Sequence, residues 1–158
     1  MNKSLISALA IFAVMSGEAL AQPTDCSNTG QTASPAQVSA LLTGNCACGG
    51  TATGGWNETH SSGRIYERGN STSGLGSDIG GYSVLSEGSG GSAIGLVQYA
   101  YSGGKTYTYS IVPKSATVGS TVTFCQRANS SPYGLNGISY SIKINGGTCS
   151  ASNKPPAC

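Results

Sequence analysis

Short segments in which apolar and polar residues alternate, separated by glycine-containing turns, make up most of the chain after residue 45. Such alternation has the two-residue period of β-strands that bury one face. The clearest case is AIGLVQYAYSGGKTYTYSIV, residues 93–112, where two alternating runs flank a glycine pair. The pattern predicts a mainly β protein, a single antiparallel meander of about eight strands that closes as a small barrel or stays a curved sheet.

One segment has helical character instead. In SPAQVSALLTGN, residues 34–45, Ser34 suits the N-cap, Pro35 the first helical position and Gly44 the stop. The apolar residues of this segment share one side of the helix: Val38, Leu41 and Leu42. We therefore predict one short N-terminal helix that covers part of the sheet, because a sheet with one apolar face must be covered in water.

The N-terminus has the pattern of an export signal. Lys3 precedes a short apolar run over residues 5–15, and residues 19–21, Ala-Leu-Ala, match a signal-peptidase site. We expect a secreted or periplasmic product that begins at Gln22. The predicted organisation is a signal peptide over 1–21, an irregular N-terminal arm over 22–33, a helix plus barrel-like domain over 34–149 and a C-terminal tail over 150–158.

Six cysteines follow the predicted cleavage site: Cys26, Cys46, Cys48, Cys125, Cys149 and Cys158. An even number in an exported chain predicts three disulfides, although the sequence leaves their pairing open. Cys46 and Cys48 share one face of a strand, so they should bond to two different partners. A bridge between Cys26 and Cys158 would close the longest loop. A zinc site formed by Cys46, Cys48 and His60 is disfavoured, because one residue separates the two cysteines where zinc sites usually have at least two. We predict no metal and no cofactor.

Charge and hydropathy exclude two classes of partner. The formal net charge is only +2, and charged residues are 9% of the chain. The positive charges are scattered rather than gathered into a stripe, which argues against nucleic acid. No second long apolar run follows the signal, so we expect no membrane association.

The stretch WNETHSSGRIYER, residues 56–68, contains the single histidine of the chain. A three-residue turn at residues 61–63 would pair His60 with Arg64 and Glu58 with Tyr66. In that register one face carries two aromatic side chains among convergent polar groups, which is the composition of a ligand site. The candidate ligand-binding residues are Trp56, Glu58, His60, Arg64 and Tyr66.

Two interpretations of this hairpin remain open. In one, it projects into solvent and its charges only screen one another. In the other, the candidate residues line the mouth or interior of a barrel. Catalysis is not favoured, because no nucleophile motif and no second carboxylate at matched spacing accompany Glu58 and His60. We expect instead a hydrogen bond from a protonated His60 to Glu58, two residues away on the strand.

A second candidate surface lies on the tyrosine-rich hairpin. A two-residue turn at Gly103 and Gly104 would pair Ala100 with Tyr107 and leave a stripe of aromatic and hydroxyl groups facing outward. A five-residue loop would instead put all four tyrosines on one face and bury them together. The candidate surface for self-association or sugar binding is Tyr99, Tyr101, Thr106 and Thr108.

The order of GNCACGG, GGWNETHSSGRIYERG, IGGYSV, VQYAYSGGKTYTYSIV and TFCQ resembles small exported bacterial proteins, mostly uncharacterised, with a W-x-E-x-H strand and a Tyr-rich hairpin. The resemblance covers residues 36–126, implies an antiparallel β domain and brings no activity. The eight-strand meander is also similar to lipocalin and avidin architecture, which gives no function by itself.

These observations favour a secreted or periplasmic, non-enzymatic binding domain for a small molecule, a glycan or a protein. The alternative is an extracellular structural or self-associating protein that uses the tyrosine surface. A third possibility is an inhibitor of an exported hydrolase, with the tip SSGR, residues 61–64, as its contact.

Overall fold

The computed structural model of the protein describes residues 26–49, 56–68, 75–130 and 132–150. The predicted signal peptide, the start of the predicted N-terminal arm and nearly all of the predicted C-terminal tail lie outside these residues. The described residues form one α-helix, α1 (Pro35–Leu42), followed by eight β-strands. The strands are β1 (Cys46–Gly49), β2 (Trp56–Ser61), β3 (Arg64–Glu67), β4 (Ser77–Glu87), β5 (Ile94–Tyr101), β6 (Thr106–Val112), β7 (Thr121–Arg127) and β8 (Leu135–Asn145).

The eight strands form a closed antiparallel barrel in meander order. Each strand pairs with the next, and β1 closes the barrel by pairing with β8, so that Ala47 lies opposite both Glu58 and Ile144. The predicted fold class is confirmed, and of its two forms the closed barrel is the one observed. An eight-stranded barrel has an interior just wide enough to be filled by side chains or to hold one small ligand.

Helix α1 closes one end of the barrel. Ser34 and Gln37 form a capping box at its N-terminus, and Gly44 follows its end in a left-handed conformation, φ +77°. The start of the helix lies so close to β5 that a β-carbon on Gly95 would meet the Ser34 carbonyl carbon at 2.5 Å. The helix buries its apolar side, as predicted: Val38, Leu41 and Leu42.

The core fills the half of the barrel next to α1. Inward-facing residues of the strands join the apolar side of the helix in one cluster, which includes Ile65, Val97, Ile111, Val122, Phe124, Ile142 and Ile144. The apolar–polar alternation of residues 120–126 and 137–145 predicts these inward faces on β7 and β8. The same alternation predicts that Ile138 faces inward, but it is 47% exposed because it lies near the far end of the barrel.

The register predicted for the β5–β6 hairpin is wrong by one residue. Tyr99 lies opposite Tyr107, and the loop contains three residues, Ser102–Gly103–Gly104, rather than two. Tyr99 and Tyr101 therefore point into the barrel with the tyrosines of β6. On β4, Tyr82 and Val84 lie opposite Tyr99 and Val97.

The predicted outer stripe of tyrosine and threonine is therefore not present. Tyr99 is only 2% exposed and lies inside the barrel. Thr108 does face outward, but it is inaccessible and donates a hydrogen bond to Asn129. Thr106 is exposed on the outer face, without the two aromatic neighbours predicted on β5. The surface proposed for self-association is lost with this register.

Disulfides tie both ends of the described chain to the barrel. Cys26 is bonded to Cys125 on β7, and Cys46 at the start of β1 is bonded to Cys149 after β8. Cys48 is also disulfide-bonded, and no described cysteine is free. Cys46 and Cys48 thus avoid each other, as predicted, whereas the suggested bridge from Cys26 to the last cysteine is wrong.

The described part of the N-terminal arm, residues 26–33, is irregular except for one turn of 3-10 helix. It ends at Ala33, whose backbone bonds to Ile111 and Gly95 on β6 and β5. Leu96 and Cys125 face outward beneath this segment and are inaccessible to solvent. Both faces of β5 to β7 are consequently buried near α1. Within the described residues, no helix is long and apolar enough to cross a membrane.

Candidate ligand-binding site

A cavity of about 580 Å³ occupies the half of the barrel away from α1. It is bordered at its rim by Ser102 and Gly103 of the β5–β6 loop, and we call this end of the barrel the open end. Nearly half of the residues that line the cavity are aromatic: Trp56, Tyr99, Tyr101, Tyr109, Phe124 and Tyr140. The polar groups that line it include the carboxyl groups of Glu58, Glu67 and Asp78.

The register of the β2–β3 hairpin decides which residues face this cavity. Its loop has two residues, Ser62 and Gly63, with φ of 51° and 76°. Two consecutive positive φ values are those of a type I′ turn, which suits the twist of a two-residue hairpin. Glu58 consequently lies opposite Glu67, and His60 opposite Ile65. The three-residue turn and the pairing predicted from the sequence are wrong.

Arg64 and Tyr66 accordingly leave the predicted contact set. Both lie on the outer face of β3, because the one-residue change in register exchanges the two faces of the strand. Arg64 makes a two-pronged ion pair with Asp78, with Nε to Oδ2 at 3.0 Å and Nη2 to Oδ1 at 2.6 Å. Its charge is therefore directed to the rim carboxylate and not to the cavity.

Glu58 lies at the inner part of the cavity wall and is only 5% exposed. Burial raises the pKa of its carboxyl to about 7, and the nearby Glu67 adds to this shift. A hydrogen bond from the Tyr101 hydroxyl to Oε1, at 3.1 Å, opposes the rise by favouring the ionised form. Glu58 thus changes between neutral acid and carboxylate close to neutral pH.

His60 lies one step deeper than Glu58, below the cavity. It is inaccessible to solvent, and its Nε2 is 2.8 Å from the Tyr99 hydroxyl. Burial lowers its pKa to about 4, against the opposing effect of the Asn45 and Glu58 carbonyls, so the ring is neutral at neutral pH. The expected hydrogen bond between a protonated His60 and the Glu58 carboxyl is absent. His60 supports the wall through Tyr99 and does not line the cavity.

Of the five predicted contact residues, the structure brings together Trp56 and Glu58 in the cavity. Sequence reasoning missed the partners supplied by other strands, above all Tyr101, Glu67 and Tyr109. The tyrosines could have been found from the alternative register of the β5–β6 hairpin, which places all four on one face. Glu67 could have been found only from the correct length of the β2–β3 loop.

The cavity is acidic, and no lysine, arginine or histidine is among the described residues that line it. Within the described part of the chain, no group of three or more histidine, cysteine or acidic residues could hold a metal ion. Cys46 is engaged in a disulfide and is therefore not available to the zinc site considered with His60.

In comparisons with known proteins, the chain matches no family model, no curated protein and no solved structure.

Proposed function

We propose that the protein is an exported binding protein that holds one small organic molecule in the cavity of its barrel. The observation that carries the proposal is a cavity of about 580 Å³ that is walled by aromatic side chains and open at one end. Ligand pockets are typically of this size, mostly apolar and provided with a few convergent polar groups. The disulfides support export, because such bonds persist in oxidising compartments.

Binding without catalysis is favoured by the position of His60. A general base must reach the substrate directly or through one water molecule. His60 is buried below the wall, and its Nε2 is engaged by Tyr99. The histidine is therefore better suited to holding the wall than to moving a substrate proton.

The proposal is tested with N-phenyl-1-naphthylamine, a neutral dye whose fluorescence increases in apolar sites. We expect one dye molecule to bind per chain. Ile79→Trp, which adds volume at the cavity wall, should weaken dye binding about tenfold or more. The matched control is Ser83→Trp on the exposed outer face of β4, which should bind as the wild type does.

Circular dichroism and thermal unfolding establish that both variants are folded. The absence of dye binding to the wild type would contradict the proposal. Equal loss in both variants, or no loss in Ile79→Trp, would place the dye elsewhere and would contradict it as well.

One observation favours a second function, acid–base catalysis such as glycoside hydrolysis. Glu58 and Glu67 lie opposite each other on adjacent strands, and burial raises the pKa of the Glu58 carboxyl to about 7. A pair of carboxyl groups, one of them a protonated general acid, is the machinery of that reaction. We rank it below binding because Glu58 is nearly inaccessible. Release of nitrophenol from 4-nitrophenyl glycosides, abolished by both Glu58→Gln and Glu67→Gln, would reverse this ranking.

A further inference from the structure

We propose that the ligand of the barrel is an organic cation, a protonated amine on an apolar ring-bearing body, whose ammonium group lies against the Glu58 carboxyl. This inference rests on the proposed binding function and specifies its ligand class. It depends on three features of the cavity: its charge, the unmet hydrogen-bonding capacity of Glu58 and its aromatic walls.

The charge of the cavity favours a cation. Three carboxylic acids lie on its wall, and none of the described residues that line it is basic. The negative charge of Asp78 is compensated by Arg64, which lies outside the cavity. Glu58 and Glu67 face each other across the β2–β3 pair, with no cation beside them among the lining residues. A ligand with a positive charge would supply the compensation that buried carboxylates require.

Glu58 also has room for a donor. Its carboxyl accepts one hydrogen bond from a described residue, at Oε1 from Tyr101, and Oε2 accepts none. A carboxylate has about four lone-pair positions, and an ammonium group has three donors. The side chain is more than nine-tenths buried while it lines the cavity, so a ligand atom is well placed to meet the free oxygen.

The walls attract a cation and disfavour an anion. The faces of aromatic rings carry negative potential, and a desolvated cation gains about 2 kcal/mol or more from such a face. Around Glu58 the tyrosines form a connected group, with Tyr101 stacked on Tyr99 at 6.0 Å between ring centres and Tyr109 packed against Tyr99 at 5.9 Å. The remaining volume of the cavity suits the apolar body of the ligand.

Binding of a cation should be coupled to release of a proton from Glu58. A positive charge beside the carboxyl favours its ionised form and lowers its pKa from about 7. The other ionisable groups facing it are Glu67, Asp78, Tyr99, Tyr101, Tyr109 and Tyr140. Burial raises the pKa of Tyr99, Tyr101 and Tyr109 above 10, so these three stay neutral near pH 7.

The test compares three probes of nearly equal shape by isothermal titration calorimetry at pH 7.5: 4-phenylbutylamine, 4-phenylbutan-1-ol and 4-phenylbutyric acid. We expect the amine to bind about tenfold or more tightly than the alcohol, and the acid to bind most weakly. Amine affinity should rise about tenfold from pH 6 to pH 8, with proton release detected by comparing buffers of different ionisation enthalpy.

Glu58→Gln removes the charge with little change in shape. It should reduce amine affinity to that of the alcohol, abolish the rise with pH and leave alcohol affinity within about twofold. Glu67→Gln is the matched variant on the facing strand. It should cause a smaller loss and retain the preference for the amine, because Glu58 remains.

Each other outcome contradicts the inference. Equal affinity of the wild type for amine and alcohol, tighter binding of the acid, no detectable binding of the amine, or an amine preference that survives in Glu58→Gln would overturn it. The neutral dye gives the independent result for the proposed function. If the dye binds and the amine preference is missing, the binding proposal stands and the ligand class is wrong.

Discussion

Glu58 and His60 are two residues apart on β2, and burial shifts their pKa values in opposite directions. The pKa of Glu58 rises to about 7, and that of His60 falls to about 4. Both shifts favour the uncharged form in the folded protein. They affect the free energy of unfolding with opposite signs over nearly the same pH range, because one group is an acid and the other is a base.

For Glu58, whose folded pKa is raised, the contribution to stability is fully present below its ordinary pKa of 4.5 and is lost as pH rises through about 7. For His60, whose folded pKa is lowered, the contribution is present above its ordinary pKa of 6.5 and is lost as pH falls through about 4. Between pH 4.5 and pH 6.5 the two residues change the free energy of unfolding with pH in opposite directions, so their effects offset each other in the wild type.

Replacing either residue should therefore reveal how the other makes the free energy of unfolding depend on pH. In Glu58→Gln, the free energy of unfolding should fall as pH is lowered from 6.5 to 4.5. Relative to the wild type, this variant should gain about 3 kcal/mol between pH 4.5 and pH 8. Urea denaturation at a series of pH values measures both quantities.

His60→Gln is the mirror variant for this pair. It should keep the Glu58 slope, with stability that falls as pH rises from 4.5 to 7, around a lower overall value because a packed ring is lost. If the difference between Glu58→Gln and the wild type is the same at every pH, Glu58 does not titrate as described.

At the scale of elements, sequence patterns that lie within a single helix or strand predicted that element correctly. The cap, the proline and the stop glycine of α1 are adjacent in the sequence, and each affects only local backbone, so the helix was predictable. Alternation likewise located the strands. Trp56 and Glu58 were recognised as site residues because both lie on the same face of β2 in either register.

Loop length, which determines register, could not be derived in the same way. The β2–β3 loop was predicted with three residues and has two, because Ser62 takes a positive φ that is usually left to glycine or asparagine. The β5–β6 loop was predicted with two residues and has three. On β5 both faces are apolar, since the N-terminal arm buries Leu96 on the outside while Val97 is buried inside. The apolar pattern of the sequence therefore does not indicate which face of β5 points into the barrel.

The conformation of the β5–β6 loop predicts that alanine has different effects on stability at its two glycines. Gly104 has φ of +79°, whereas Gly103 is outside the left-handed range, and a β-carbon would meet no atom within 4 Å at either position. Gly104→Ala should therefore cost about 1–2 kcal/mol of stability and Gly103→Ala much less. In a two-residue loop, a type I′ turn would need positive φ at both glycines and a type II′ turn at Gly103. A cost for Gly103→Ala that equals or exceeds that for Gly104→Ala in thermal unfolding would therefore contradict the observed loop.

The whole molecule combines one closed end, one open end and long-range covalent ties. The Cys26–Cys125 and Cys46–Cys149 bonds join residues 99 and 103 positions apart. By the chain-entropy account, a bond that closes a loop of this length stabilises the folded state by about 4 to 5 kcal/mol. Most of the stability of so small a barrel should depend on these bonds.

We expect the protein isolated from an oxidising compartment to show no reactive thiol in denaturant without reductant. Complete reduction should remove cooperative thermal unfolding at ordinary temperatures, because the free energy contributed by the bonds is lost. A thiol reagent and circular dichroism provide the two measurements. Two or more reactive thiols per chain would contradict the prediction of three disulfides.

The positions of the two bonds also determine how the protein responds to mechanical force. A pull applied between Cys26 and Cys149 has a short covalent route, along the chain to Cys46 and across its bond to Cys149. That route contains about 20 residues and can extend to only about 70 Å, whereas the same ends of a reduced chain could separate to roughly 400 Å. When that route is fully extended, the segment that contains β2 to β6 is still not stretched. The strands from β2 to β6, which together with the β5–β6 loop supply most of the residues that line the cavity, are thus spared the full tension that the ends of the chain experience.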